Sequence, residues 1–506
     1  MWNTYITDIY WPSNTSADAP EKILYFFIRD GLVKTERKND KIFQYKNNKW
    51  FDDLLDSLKF ETTDEVTRNK FKEYYTVTLQ EGNTGSYKSA LPVPFHVLIP
   101  AFYQPITSND QNMSNRGFSN RFLLTFFWDG QKLNYDLIKK LWEVFNTNQL
   151  NYYEKLIVEA IDQQSNFSPQ LKSEEELNSY IRNWNISKFA CKHQPLLFQK
   201  DLEYVLGLKT VSRVEKIRWI EYLIYFHFST YMLRIYSIIE NEFEEYEEGK
   251  DNCLSCNGDY QCPFKGKINV KSNLSGHNKE AKLIQHQYNQ LMNFTLIKGY
   301  VRFLVISRIF DIYSSDKVAG KEAENLLEVK EYLQNSDNKN KFILAINRFL
   351  KDSVYPAIKE YSSYEESEVF INPILNTKEI LFKLFDIYLD FYERKGIKSL
   401  DNSTKQVFNK LAGDKMGCNY LHIQKNNANL FQFNSEFLSF IVNVILGSNG
   451  EEQILLTELW ERLSERGFSI VSKKEKDLIE KQLTSMGLLE KKSDAGESEF
   501  VKRTIR

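Results

Sequence analysis

Through the middle of the chain apolar residues return every three to four positions. That period predicts helices over Leu202–Leu206, Val214–Glu242, Glu280–Phe310, Ala323–Asn335, Lys341–Phe349 and Lys378–Arg394. Tyr222, Tyr225, Phe226, Phe228, Tyr231 and Tyr236 recur at the same spacing; a stripe of this kind is read as helix core rather than as a platform for stacked bases. Two polar stretches, Gly249–Asn278 and Asn335–Asn340, interrupt the period, and no internal repeat is found. Before about Asn166 the pattern is mixed. Ile23–Ile28, Val93–Tyr103 and Phe122–Trp128 are expected to be strands or buried segments, Leu133–Phe145 an amphipathic helix, and the aperiodic Thr107–Asn120 a surface loop.

From Phe433 onward the punctuation is dense. Asn434 or Ser435 can cap a helix whose apolar face carries Phe437, Leu438, Ile441, Val444 and Ile445, with Gly447 as its stop. Ile454–Leu456 reads as a short strand, and Thr457 as the cap of a helix Glu458–Arg466 that ends at Gly467. Ser472 followed by Glu475 is a capping box for a third helix, Lys473–Met486, with Leu478, Ile479, Leu483 and Met486 inward and Gly487 closing it. Leu488–Lys492 and Ser498–Lys502 flank a turn and read as a β-hairpin. Helices followed by a two-stranded hairpin are the order of a winged helix. Its third helix would carry Lys473, Lys474, Lys476 and Lys481, and its wing Lys491, Lys492, Lys502 and Arg503, a surface able to meet DNA phosphates. Glu475, Asp477, Glu480, Glu490, Glu497 and Glu499 are interleaved with them, so contact with a partner protein stands beside contact with DNA.

The expected fold is therefore mainly α and multi-domain: a mixed α/β region over 1–165, a helical region over 173–400 with a cysteine-rich loop at 249–278, and a winged helix over 420–506. Few Gly and Pro (20 and 11 in 506 residues) argue against a large all-β architecture. With 66 basic and 68 acidic residues the whole molecule is no electrostatic nucleic-acid binder, and any such binding must come from a local patch. The most apolar run, Tyr222–Leu233, is too short to span a bilayer, and the first residues lack the pattern of a secretory signal. Five cysteines without a disulfide-like framework point to a reducing compartment, so a cytoplasmic location is expected.

Three of those cysteines, Cys253, Cys256 and Cys262, form a Cys-x2-Cys-x5-Cys cluster in the first polar interruption. Two thiolates on a Cys-x2-Cys turn can face one ion, and a third nearly completes a tetrahedral zinc shell. His277 is the nearest histidine for the fourth place; His286, or Cys191 with His193, are alternatives. An iron–sulfur cluster or free thiols remain open beside structural zinc. His96, His227 and His422, each in apolar surroundings, are read as core histidines.

No complete catalytic set is found. Gly320-Lys321 lacks the preceding glycine of a phosphate-binding loop and is followed by Glu322, and no nucleophile elbow, His-Glu-x-x-His or paired His and Asp is seen.

The length, the cysteine cluster within a helical middle, and the tail from Leu459 through Leu488-Leu-Glu-Lys-Lys-Ser-Asp-Ala-Gly-Glu497 to Val501 resemble the G component of the DNA-phosphorothioation-dependent restriction systems, which act against DNA lacking a sulfur-modified backbone. The resemblance implies a non-motor subunit in anti-phage defence, beside an ATPase or helicase-like H component and an F component. It supplies no catalytic residues. A stand-alone metal-dependent nuclease and a winged-helix transcription regulator are the alternatives.

Overall fold

A computed structural model describes residues 23–34, 43–45, 58, 65–79, 93–105, 123–128, 132–165, 168–182, 193–244, 268–274, 278–321, 326–359, 365–394, 408–409, 411–413, 419–422, 429–470, 472–492 and 498–505. It is mainly helical. No helix among these residues is long and apolar enough to cross a membrane.

The first part contains β1 (Val33–Lys34), β2 (Phe43–Tyr45), α1 (Glu65–Tyr74), β3 (Tyr103–Pro105), α2 (Tyr135–Phe145), α3 (Tyr152–Ser165), β4 (Gln170–Leu171) and α4 (Glu174–Arg182). β1 pairs antiparallel with β4, and β2 pairs parallel with β3. Of the two expectations for the apolar runs near residues 23, 98 and 123, strands or buried segments, the second holds: they are buried helical turns (Ile23–Phe26, Leu98–Phe102, Leu123–Thr125). A short run buried on every side carries no period that separates strand from helix. α2 begins where Asn134 Oδ1 accepts the Leu137 N–H at 3.2 Å. The Thr107–Asn120 stretch lies outside the described residues.

The middle is built on α5 (His193–Gly207) and the long α6 (Arg213–Glu244), followed by β5 (Lys271–Ser272), α7 (Asn278–Gln290), α8 (Lys298–Tyr313), α9 (Leu326–Gln334), α10 (Ser336–Phe349) and α11 (Thr377–Arg394). α6 is packed by both α5 and α8, and α11 lies on α8. The aromatic stripe is core as expected: Tyr222, Tyr225, Phe226, Phe228, Tyr231 and Tyr236 are all buried. Between α7 and α8 the helix widens into a π-helical segment, Leu291–Ile297. The predicted interruption at Asn335–Asn340 shrinks to one residue. Asn335 caps α10, accepting the N–H groups of Asp337 and Asn338 at 3.0 and 3.1 Å, and the polar run after it is the helix's first turns.

The chain ends with β6 (Leu421–His422), β7 (Leu430–Phe433), α12 (Ser435–Ser448), β8 (Gln453–Leu455), α13 (Leu456–Glu465), α14 (Lys473–Ser485), β9 (Leu489–Lys492) and β10 (Ser498–Lys502). β8, β10 and β9 form an antiparallel sheet with β10 central, and β5, β7 and β6 form a second sheet with β7 central. The Asn434 side chain caps α12, and all five predicted inward residues are buried. α12 continues to Ser448 past Gly447, and Gly450, at φ +71°, makes the turn. Thr457 caps nothing: α13 starts at Leu456, preceded by Leu455 with no side-chain cap. Gly467 and Gly487, at φ +106° and +68°, do end their helices.

Candidate nucleic-acid interface

α14 has two unlike faces, and the sequence sets both. Ser472 Oγ accepts the Glu475 N–H at 3.4 Å and starts the helix. From there Glu475, Ile479, Gln482 and Leu483 fall on one side and are buried, whereas Lys473, Lys474, Asp477, Lys481, Thr484 and Ser485 fall on the other and are exposed. The two buried polar residues are bonded rather than stranded. Glu475 Oε2 accepts the Ser272 backbone N–H at 2.8 Å, and Gln482 Oε1 accepts the Ser272 hydroxyl at 2.9 Å. Gln482 Nε2 also donates to Ser435 Oγ at 3.3 Å. The expected capping box is thus half formed, because Glu475 turns inward to β5 instead of back to the Ser472 N–H. The carboxylate holds α14 against the middle of the chain and leaves the lysine face outward.

The other basic candidates are held differently. Lys476 is half-buried, its Nζ 6.0 Å from the centre of the Trp460 ring. Lys491 on β9 pairs with Glu499, its direct cross-strand partner on β10. Lys502 pairs with Glu490, and Arg503 Nη2 lies 3.8 Å from Glu452 Oε1. Lys492 belongs to β9 in register with Ser498. Between α14 and the hairpin, burial together with the charges of Glu499 and Asp477 raises the Glu480 carboxyl above its ordinary pKa. The helix face is therefore net positive, and the hairpin beside it is charge-balanced.

A buried ionic cluster anchors α13 to the middle region. Arg466, directly after α13, donates through Nη2 to Asp201 Oδ1 at 2.8 Å and through Nε to Oδ2 at 3.3 Å. Asp201 Oδ2 also lies 3.0 Å from His227 Nε2, whose Nδ1 faces Gln194 Nε2 at 2.8 Å. The Gln194 amide nitrogen donates and Asp201 accepts, so the neutral ring carries its proton on Nε2. Burial, the largest influence, lowers the His227 pKa against the pull of Asp201. Burial opposes ionisation of Asp201 too, but the Arg466 charge and the His227 bond bring its carboxyl below the usual range. This His and Asp pair corrects the expectation that none exists: the partners sit on α5 and α6, where no local motif records them. All three side chains are buried and bonded to one another, an arrangement that fixes α5, α6 and the turn after α13 relative to each other. His227 is thus a satisfied core histidine, as is buried His96, whose Nδ1 accepts the Leu98 N–H at 3.3 Å.

Cys253, Cys256, Cys262 and His277 lie outside the described residues, as does Cys191. Of the alternative ligands, His286 is exposed on α7 and His193 is buried at the start of α5. Among the described residues no group of three or more His, Cys, Asp or Glu could hold a metal ion. Gly320 and Lys321 form a turn after α8, with Lys321 Nζ 2.5 Å from Glu328 Oε1. No family model and no curated protein matches this chain.

Proposed function

We propose that the chain is a non-motor subunit of a DNA-phosphorothioation-dependent restriction complex, in which a C-terminal winged helix formed by α12–α14 and β8–β10 contacts DNA. The observation that carries the DNA contact is the outer face of α14, where Lys473, Lys474 and Lys481 are exposed on a helix fixed from behind by Glu475 and Gln482. A cationic face of this kind meets backbone phosphates and positions the protein without reading sequence. The place in a restriction complex, beside the ATPase or helicase-like H component and the F component, rests on the sequence resemblance. It is tested by co-purification of those components with the full chain.

A second reading, contact with a partner subunit, is favoured by the charge balance of the module: from Glu451 to Arg506 there are eleven basic and twelve acidic residues. Substituting Lys473, Lys474 and Lys481 by Glu separates the two, since loss of DNA with partners retained supports the first reading and the reverse supports the second. The cysteine cluster adds a structural zinc site to the proposal, because three thiols and an imidazole are zinc-type donors. Zinc retained through purification by the wild type and lost with Cys253→Ser and Cys256→Ser tests it.

A further inference from the structure

Lysines on the hairpin of such a module have two fates: they reach a phosphate, or they are spent within the protein. Here the sheet decides. Lys491 and Glu499 face each other directly across β9 and β10, on the side of the sheet that also carries Leu489 and Val501. Lys491 is ion-paired to Glu499, with Glu480 of α14 close enough to both for their charges to act on it. On the opposite side of the hairpin Lys502 is ion-paired to Glu490, and beyond the strand Arg503 faces Glu452. Lys491, Lys502 and Arg503 thus each have a carboxylate supplied by the same module. On the outer face of α14 Lys473, Lys474 and Lys481 are exposed beside Asp477.

We infer that Glu490 and Glu499 act as a built-in brake on DNA binding, holding Lys502 and Lys491 away from phosphates so that contact is made by the α14 face alone. The inference rests on the DNA reading given above. Its physical content is competition: a phosphate must displace a carboxylate already in place, so these lysines release few counterions on binding and add little to the salt dependence. Their pairing also keeps the module near neutral, which restrains attachment to DNA at large.

The test uses the full chain and a short mixed-sequence duplex, with affinity followed between about 50 and 200 mM salt. Glu490→Gln with Glu499→Gln releases both lysines. It is expected to steepen the salt dependence by about one unit per lysine and to raise affinity about tenfold at ~0.1 M salt. Adding Lys491→Gln and Lys502→Gln should cancel that gain. Glu436→Gln with Glu461→Gln changes the net charge equally at exposed sites on α12 and α13, and should leave the slope unaltered. If wild type binds through Lys473 and Lys481 but the Glu490, Glu499 variant matches it, or the control pair gains as much, the brake is refuted and the DNA reading stands. Binding by neither wild type nor variant refutes both.

Discussion

Arg466 and Asp201 meet in a two-pronged ion pair, 2.8 and 3.3 Å, with neither side chain reaching solvent. The contact joins the turn after α13 to α5 across 265 positions of sequence. Around it Arg234 Nη2 donates to the Glu465 carbonyl at 2.6 Å, Tyr420 donates its hydroxyl to Ser229 Oγ at 2.7 Å, and Phe468 stacks on Phe226 at 5.7 Å. The C-terminal elements are therefore seated on α5 and α6 by apolar and ionic contacts together, and α14 takes its orientation from that seat.

Arg466→Met is expected to destabilise the chain by about 3–5 kcal/mol, because it leaves the Asp201 carboxylate buried without its charge partner. Combining it with Asp201→Asn should cost less than Arg466→Met alone, since the amide still accepts the His227 N–H and no charge is buried. Urea unfolding of wild type, both single variants and the double variant gives the coupling. Additive losses would contradict the pairing.

Acid should weaken the fold before any carboxylate of ordinary pKa protonates. Burial, reinforced by the Arg213 charge, lowers the folded His96 pKa to about 4, and His227 is lowered by its own burial. In the unfolded chain both titrate near ~6.5. Below that value the unfolded state binds more protons, so stability is full above ~6.5 and falls with acidification by up to about 1.4 kcal/mol per unit for each histidine. Asp201, its pKa lowered on folding, acts in the same direction further down: its contribution is held above its unfolded value of ~3.9 and lost as pH falls through its folded value. His96→Gln should flatten the profile between about 4 and 6.5, and His227→Gln should flatten it below ~6.5; unchanged slopes would count against neutral burial.

Gly447 marks a close approach of α12 to α5. A Cβ there would fall 2.1 Å from the Tyr204 ring, whose hydroxyl donates to the Ile505 carbonyl at 3.2 Å. Gly447→Ala is expected to cost about 1–3 kcal/mol by overpacking. Tyr204→Leu in the same chain should recover part of the loss; a neutral Gly447→Ala would mean that the ring moves aside freely.

Glu475 should control how firmly residues 268–274 are held. In Glu475→Ala the Ser272 amide loses its acceptor, and its hydrogen exchange should quicken while the amides of α12 stay protected. Equal exchange in both proteins would show that β5 is held by its pairing with β7 alone.

Legibility followed the range of the interaction. Ser472, Gly467 and Gly487 were readable because a cap is a contract between residues a few positions apart, and the five inward residues of α12 because helical period alone chooses them; on α14 only Ile479 and Leu483 are buried as read, Leu478 and Met486 are half-buried, and the polar Glu475 and Gln482 take the other inward places. Glu475 was read as a local capping partner, whereas its acceptor oxygen serves Ser272, 203 positions away. The Asp201 and His227 pair is 26 positions apart on two helices, a distance at which a sequence holds no pattern. The lysines show the same limit. Their positions on α14 and the hairpin were legible, but the cross-strand register that gives Lys491 to Glu499 belongs to the sheet. Thr457 was misread because α13 already begins at Leu456, which puts the exposed Leu455, and not Thr457, at the cap position.

The most direct test of the account is the affinity of the full chain for duplex DNA over a range of salt concentrations, compared with Lys473→Glu, Lys474→Glu, Lys481→Glu. These side chains are exposed, so the fold should be kept, as checked by its thermal transition. The account predicts salt-sensitive binding by the wild type, with a slope near three units, one for each lysine of the α14 face, and loss of that binding in the triple variant. Binding that persists in the variant with the same slope would contradict it.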